Sequence, residues 1–105
     1  MAKKSAIRVT SSTGNVFRDL GFSKEESEHL LIRADLLIQV QKAIVSRRLK
    51  QAEAAKILRV TQPRVSDLLR GRIDLFSTDS LIDMLARLGV EVRLVVKTPR
   101  TKKVA

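Results

Sequence analysis

Cysteine, tryptophan and tyrosine are absent from the 105 residues, histidine occurs once, and proline occurs only twice. Without cysteine there can be no disulfide, no thiol nucleophile and no zinc finger of the usual spacing. The same absence fits a cytoplasmic protein. The only aromatic side chains are Phe17, Phe22 and Phe76, which argues against stacking platforms for single-stranded nucleic acid. No apolar run approaches the roughly 18–20 residues needed to span a bilayer, so no membrane association is expected. Met1-Ala-Lys-Lys-Ser is basic but lacks the apolar stretch of a signal peptide.

Catalytic constellations are missing as well. His29 lies beside Glu28, Leu30 and Leu31 and reads as a helix-surface residue, not as a ligand or an acid–base group. There is no glycine-rich phosphate loop and no Ser/His/Asp arrangement that one histidine can serve. Asp79 and Asp83 stand one helical turn apart near Asp74, but no further ligands are organised around them. We therefore expect no catalytic residue, no metal and no cofactor, and the chain does not read as an enzyme.

What is present is a leucine-, isoleucine- and valine-rich chain carrying a net charge of +10. Its length allows one domain, and 44% apolar residues is a folded-domain composition, not that of a disordered polyelectrolyte. The charge is segregated. Residues 42–72 hold nine basic groups against Glu53 and Asp67 alone, and residues 97–105 hold four basic groups and no acid. Residues 23–41 and 73–96 are each mildly acidic, with four acids against two bases. One basic block and two basic ends point to a surface that faces a polyanion. A generic basic surface is the alternative reading of the charge alone.

Residues 1–15 are small, polar and basic and read as a flexible arm, with Ile7-Arg8-Val9 a candidate short strand. Ser23-Lys-Glu-Glu26 fits a capping box, and Glu25, Glu26 and Glu28 suit the positive end of a helix dipole. Leu30, Ala34, Leu37, Gln41 and Ile44 then recur at helical spacing, joined by Leu31, Ile38 and Val45. No glycine or proline interrupts residues 24–48, which predicts one long helix, or two with a small break, carrying Arg47 and Arg48 in its last turn. Two short helices follow, at about residues 51–58 and 62–70. Thr61 caps the second of them, Pro63 lies in its first turn and Gly71 ends it. Ser77 caps a fourth helix, at about residues 78–88, closed by Gly89. In residues 90–97 the alternation of Val90, Val92, Leu94 and Val96 predicts a strand. A lone strand leaves backbone groups unpaired. Its partner must be the Ile7–Val9 arm, the same strand of a second copy, or another protein.

Residues 51–70 have the pattern of a helix-turn-helix. Ala54 and Ala55 are small enough for a close, steep helix crossing, and Leu58, Val60, Val65 and Leu68 supply the apolar wedge. The remaining positions of the second short helix, Gln62, Arg64, Ser66, Asp67 and Arg70, can all form hydrogen bonds. That leaves one face to anchor and one to enter the major groove. The segment resembles the XRE (lambda-repressor-like) family. The likeness extends through Gly14-Asn-Val-Phe-Arg-Asp-Leu-Gly21, Arg33-Ala34, Gln62-Pro-Arg-Val-Ser-Asp-Leu68, Arg70-Gly71, Phe76-Ser77 and Leu85-Ala-Arg-Leu-Gly89, over about residues 14–97. The pattern resembles that of the small XRE regulators that include HigA-type antitoxins. The resemblance implies an all-α, lambda-repressor-like bundle of four to five helices with a short C-terminal β-strand, within residues 16–97. Residues 98–105 form a basic tail.

Two positions depart from that family pattern. Arg59 stands where the turn usually has glycine, and a non-glycine residue at positive φ costs roughly 1 kcal/mol. Lys50 stands where a threonine or serine usually caps the first short helix, a loss worth about 0.5–2 kcal/mol. Both substitutions add a cation where phosphates lie.

The resemblance implies that Gln51 contacts a phosphate and braces Gln62. Gln62 can bond adenine N6 and N7. Arg64 and Arg70 are candidates for guanine or phosphate, and Ser66 for a base edge or phosphate. Asp67 either accepts from cytosine N4 or pairs along the helix with Arg64 or Arg70, the pairing being favoured. Thr61 is expected to cap and to touch phosphate. Lys50, Arg59 and Arg72 would neutralise the backbone. The expected protein is a sequence-specific repressor, homodimeric on double-stranded operator DNA, with a toxin as a further partner through the acidic residues 25–35. The competing expectation is an adaptor whose helical domain binds a partner protein instead of DNA.

Overall fold

Local capping chemistry sets the helix boundaries, and the apolar stripes between them set the packing. The computed structural model describes residues 5–10 and 19–98. In chain order the elements are β1 (Ser5–Thr10), α1 (Lys24–Ser46), α2 (Gln51–Leu58), α3 (Gln62–Leu69), a 3-10 turn (Ile73–Leu75), α4 (Thr78–Arg87) and β2 (Val90–Val95). This is an all-α helix-turn-helix bundle with a short strand at its C-terminal side. Residues 1–4, 11–18 and 99–105 hold the start of the basic arm, Phe17, the first part of the family-like stretch and the end of the basic tail. They lie outside the described residues.

The capping box at Ser23 is formed in full. Ser23 Oγ accepts from the Glu26 N–H at 3.1 Å, and Glu26 Oε1 accepts from the Ser23 N–H at 3.0 Å. The Ser23 backbone and side chain hold the Glu26 carboxyl below its ordinary pKa. Thr61 caps α3 and Ser77 caps α4. The long helix is unbroken but ends at Ser46, so Arg47 and Arg48 lie beyond its last turn. Arg48 takes a φ of 53° there, and the Arg47 guanidinium donates to the Leu88 carbonyl, tying the end of α1 to the end of α4.

Burial rotates the α1 stripe from the expected set. Leu36, Leu37, Val40 and Ile44 are buried, whereas Ile38 and Val45 are exposed. The core continues through Ala54, Leu58, Val65 and Leu68 of the two short helices, Phe76, and Leu81, Leu85 and Leu88 of α4 and its cap.

Of the three possible partners for β2, the structure supplies the N-terminal arm. β1 pairs with β2 in parallel, from Ser5 opposite Val90 to Thr10 opposite Val95. Parallel neighbours need a crossover, and here the helical bundle lies between the two strands in sequence. The alternating β2 face does not stay in the core. Val90 is buried and Val92 half-buried, but Leu94 is 66% exposed and Val96, just past the strand, 74% exposed.

Candidate nucleic-acid interface

Packing of α2 on α3 rests on Ala54, which is fully buried, and on Val65 and Leu68 from the facing helix. Arg59 occupies the left-handed region at φ 59°, ψ 45° as the C-cap of α2. The turn therefore keeps the geometry that glycine favours, although the residue is arginine. At the other end of α2, Lys50 makes no side-chain cap. Lysine has no acceptor to offer, so only half of a capping box forms, with Glu53 Oε1 accepting from the Lys50 N–H at 2.8 Å.

The start of α2 and the start of α3 meet in a shallow concavity lined by Gln51, Gln62, Pro63 and Ser66. Gln62 is exposed, while Gln51 and Ser66 are half-buried. Two amides and a hydroxyl thus face one open surface. No hydrogen bond joins the two amides among the described residues, which leaves their donors and acceptors for an outside partner. Thr61 Oγ1 accepts from the Arg64 N–H at 3.4 Å.

The other expected contacts divide by what holds them. Lys50, Arg59 and Arg72 are exposed, and Arg72 makes only a loose contact with Asp74 at 3.7 Å. Asp67 pairs along the helix with Arg70 at 2.8 Å, the favoured of its two readings. Arg64 turns away from the concavity. Its Nη1 donates to the Leu75 carbonyl at 3.0 Å, and its guanidinium sits 4.4 Å from the centre of the Phe76 ring.

One residue that sequence reading treated only as part of a stripe has a structural task. Gln41 of α1 donates through Nε2 to the Leu68 carbonyl at 2.8 Å and to the Leu69 carbonyl at 3.5 Å. The last four carbonyls of a helix have no partner within it. In α3 the Ser66 carbonyl accepts from the Arg70 N–H, that of Asp67 from the Arg72 N–H, and that of Leu68 also from the Gly71 N–H. Gln41 completes this set and fixes where the end of α3 lies. The available signal was a polar residue at a core-facing position, one turn past Leu37 and three residues before Ile44.

Away from this surface, α1, α4 and β2 form an apolar groove of about 420 Å³ lined by His29, Ile32, Leu36, Thr78, Ile82, Val92 and Leu94. Burial pushes the carboxyl of Asp35, on α1, above its ordinary pKa. No helix among the described residues is long and apolar enough to cross a membrane.

No curated protein matches the chain. A family profile described as a helix-turn-helix domain matches residues 16–97, a span that contains all four described helices and β2. The DNA-binding pattern read at residues 51–70 and the geometry of α2 and α3 agree with that match, and the chain belongs to the helix-turn-helix domain family.

Proposed function

We propose that the protein is an XRE-type transcriptional repressor, not an enzyme, that acts in the cytoplasm as a homodimer on operator DNA and serves as a HigA-like antitoxin. The observation that carries the DNA reading is the concavity of Gln51, Gln62 and Ser66 inside the most basic stretch of the chain. Amide and hydroxyl groups discriminate base edges in the major groove, while Lys50, Arg59 and Arg72 supply the sequence-independent attraction to phosphate. One eight-residue helix reads few base pairs. Two copies spaced about 34 Å apart would read two half-sites. The apolar groove of α1, α4 and β2, with Leu94 and Val96 exposed beside it, supports a second copy docking on that face.

Selection of bound duplexes from a random pool, followed by gel shifts over a salt series, tests this reading. The expected result is an enriched sequence of two related half-sites and affinity that falls steeply with salt. Replacing Lys50 by alanine should lower the log–log salt slope by about 0.9. Failure to enrich any sequence overturns the regulator.

The toxin partner is a second reading of the same surface. It is favoured by the acidic side chains Glu25 and Glu28, which are exposed one turn from the groove residues His29 and Ile32. Co-purification with the product of the adjacent reading frame, lost on reversing those two charges, supports it. An adaptor without DNA binding would show the same partner and no enriched DNA.

A further inference from the structure

Arg64 is the residue whose sequence reading and structural placement diverge most. On a helix of 3.6 residues per turn, positions two apart are roughly 200° apart around the axis. Gln62 and Ser66, four apart, therefore share a face, and Arg64 lies on the far side of the helix from both. Its guanidinium is committed there, to the Leu75 carbonyl at 3.0 Å and to the face of Phe76 at 4.4 Å. Phe76 is 2% exposed and directly precedes Ser77, the N-cap of α4. The contact therefore bridges the first turn of α3 to the start of α4. A planar guanidinium can stack on a ring and donate in its own plane at the same time, which an ammonium cannot do. Gln41 holds the opposite end of α3 by its carbonyls.

We propose that Arg64 is a positioning residue for the DNA-reading helix, not a base or phosphate contact: it fixes the angle at which Gln62 and Ser66 are presented by locking the start of α3 to the α3–α4 connection. The proposal rests on the DNA-binding reading above. It assigns sequence discrimination to the Gln51, Gln62 and Ser66 surface and removes Arg64 from it.

The test measures the full chain on its own selected duplex and on a random duplex, over a salt series, for wild type, Arg64→Lys, Arg64→Met and Phe76→Leu. All measurements are made well below each variant's melting midpoint. Positioning predicts that Arg64→Met weakens the selected duplex about tenfold and leaves random-duplex binding and the salt slope unchanged. Arg64→Lys should behave like Arg64→Met despite keeping the charge. Phe76→Leu, at a buried side chain that cannot reach DNA, should reproduce the loss, and the double variant should add little to either single one. A salt slope reduced by about 0.9 in Arg64→Met and restored in Arg64→Lys identifies a phosphate contact and overturns the proposal. Loss of preference at a single base pair, with the rest of the site still discriminated, identifies a base reader and overturns it as well. A wild-type chain that enriches no duplex overturns the DNA-binding reading itself, and the wild-type arm alone reveals that outcome.

Discussion

The α2–α3 surface and the α1–α4–β2 face are built from the same short chain and differ in almost every physical respect. The first is polar and cationic, shallow, and held in place by side chains that bond backbone carbonyls: Gln41 at one end of α3, Arg64 at the other. The second is an apolar groove between elements with acidic neighbours, and its strand and the residue after it carry Leu94 and Val96 out into solvent. A surface that meets a hydrated polyanion gains most from fixed donors and charge, whereas one that meets a protein gains from apolar area at its centre. The two faces therefore suit two kinds of partner, and each can be damaged with little direct effect on the other.

The largest expected effect removes what both faces share. Leu68 is fully buried, and Leu68→Ala should lower stability by about 2–5 kcal/mol in urea or thermal unfolding, abolishing both functions together. Next comes a change meant to loosen only the first face. Gln41→Leu leaves the Leu69 carbonyl without its side-chain donor and the Leu68 carbonyl with one fewer. A cost of about 1–3 kcal/mol is expected by denaturation, along with weaker DNA binding and unchanged self-association.

Arg59→Gly sharpens the comparison in the opposite direction. Relief of the left-handed conformation should stabilise the fold by up to about 0.5 kcal/mol, after the entropy that glycine loses on folding, while the missing cation weakens DNA binding. Stability and DNA affinity then move in opposite directions. On the second face, Leu94→Lys lies at an exposed position and should shift stability by no more than about 0.5 kcal/mol, yet light scattering should report a monomer.

The smallest effects are titrations. Glu26 has its pKa lowered by Ser23, so its contribution is present above the ordinary glutamate pKa and is lost as pH falls through the lowered folded value. Asp35 has its pKa raised by burial, so its penalty is absent in acid and sets in as pH rises through the raised folded value. Melting curves from pH 3 to 7 should show Glu26→Gln losing its deficit in acid and Asp35→Asn gaining its advantage only toward neutrality.

What could be read in advance was what the chain decides locally. Ser23, Thr61 and Ser77 cap the helices they were expected to cap, because a hydroxyl that accepts from an N–H three residues on needs no distant partner. Gly71 and Gly89 take positive φ at helix ends for the same kind of reason. The left-handed Arg59 was legible through the family resemblance, whose pattern has glycine at that turn. The rest depends on partners far along the chain. Gln41 reaches carbonyls 27 and 28 residues away. Arg64 looked like a reader because it is a hydrogen-bonding residue on the helix that also carries Gln62 and Ser66, but its direction is decided by Phe76, a residue of the next connection. The regular alternation of β2 marked a strand correctly but concealed that only its first half meets the core.

The parallel pairing of β1 with β2 has a consequence for how the molecule is made. Each residue of β1 waits for a partner 85 positions further on. Closing a loop of that length adds an entropic cost that grows only slowly with length, but the contact contributes nothing until Val90–Val95 has been made. During synthesis, then, β1 is made before the four helices but finds its place after them, and the helices can assemble around Leu68 and Leu85 before it docks. A nascent chain released before Val90 would hold a helix-turn-helix without its strand ladder, and the missing pairs should appear as unprotected amides at Ser5–Thr10 in pulsed hydrogen exchange.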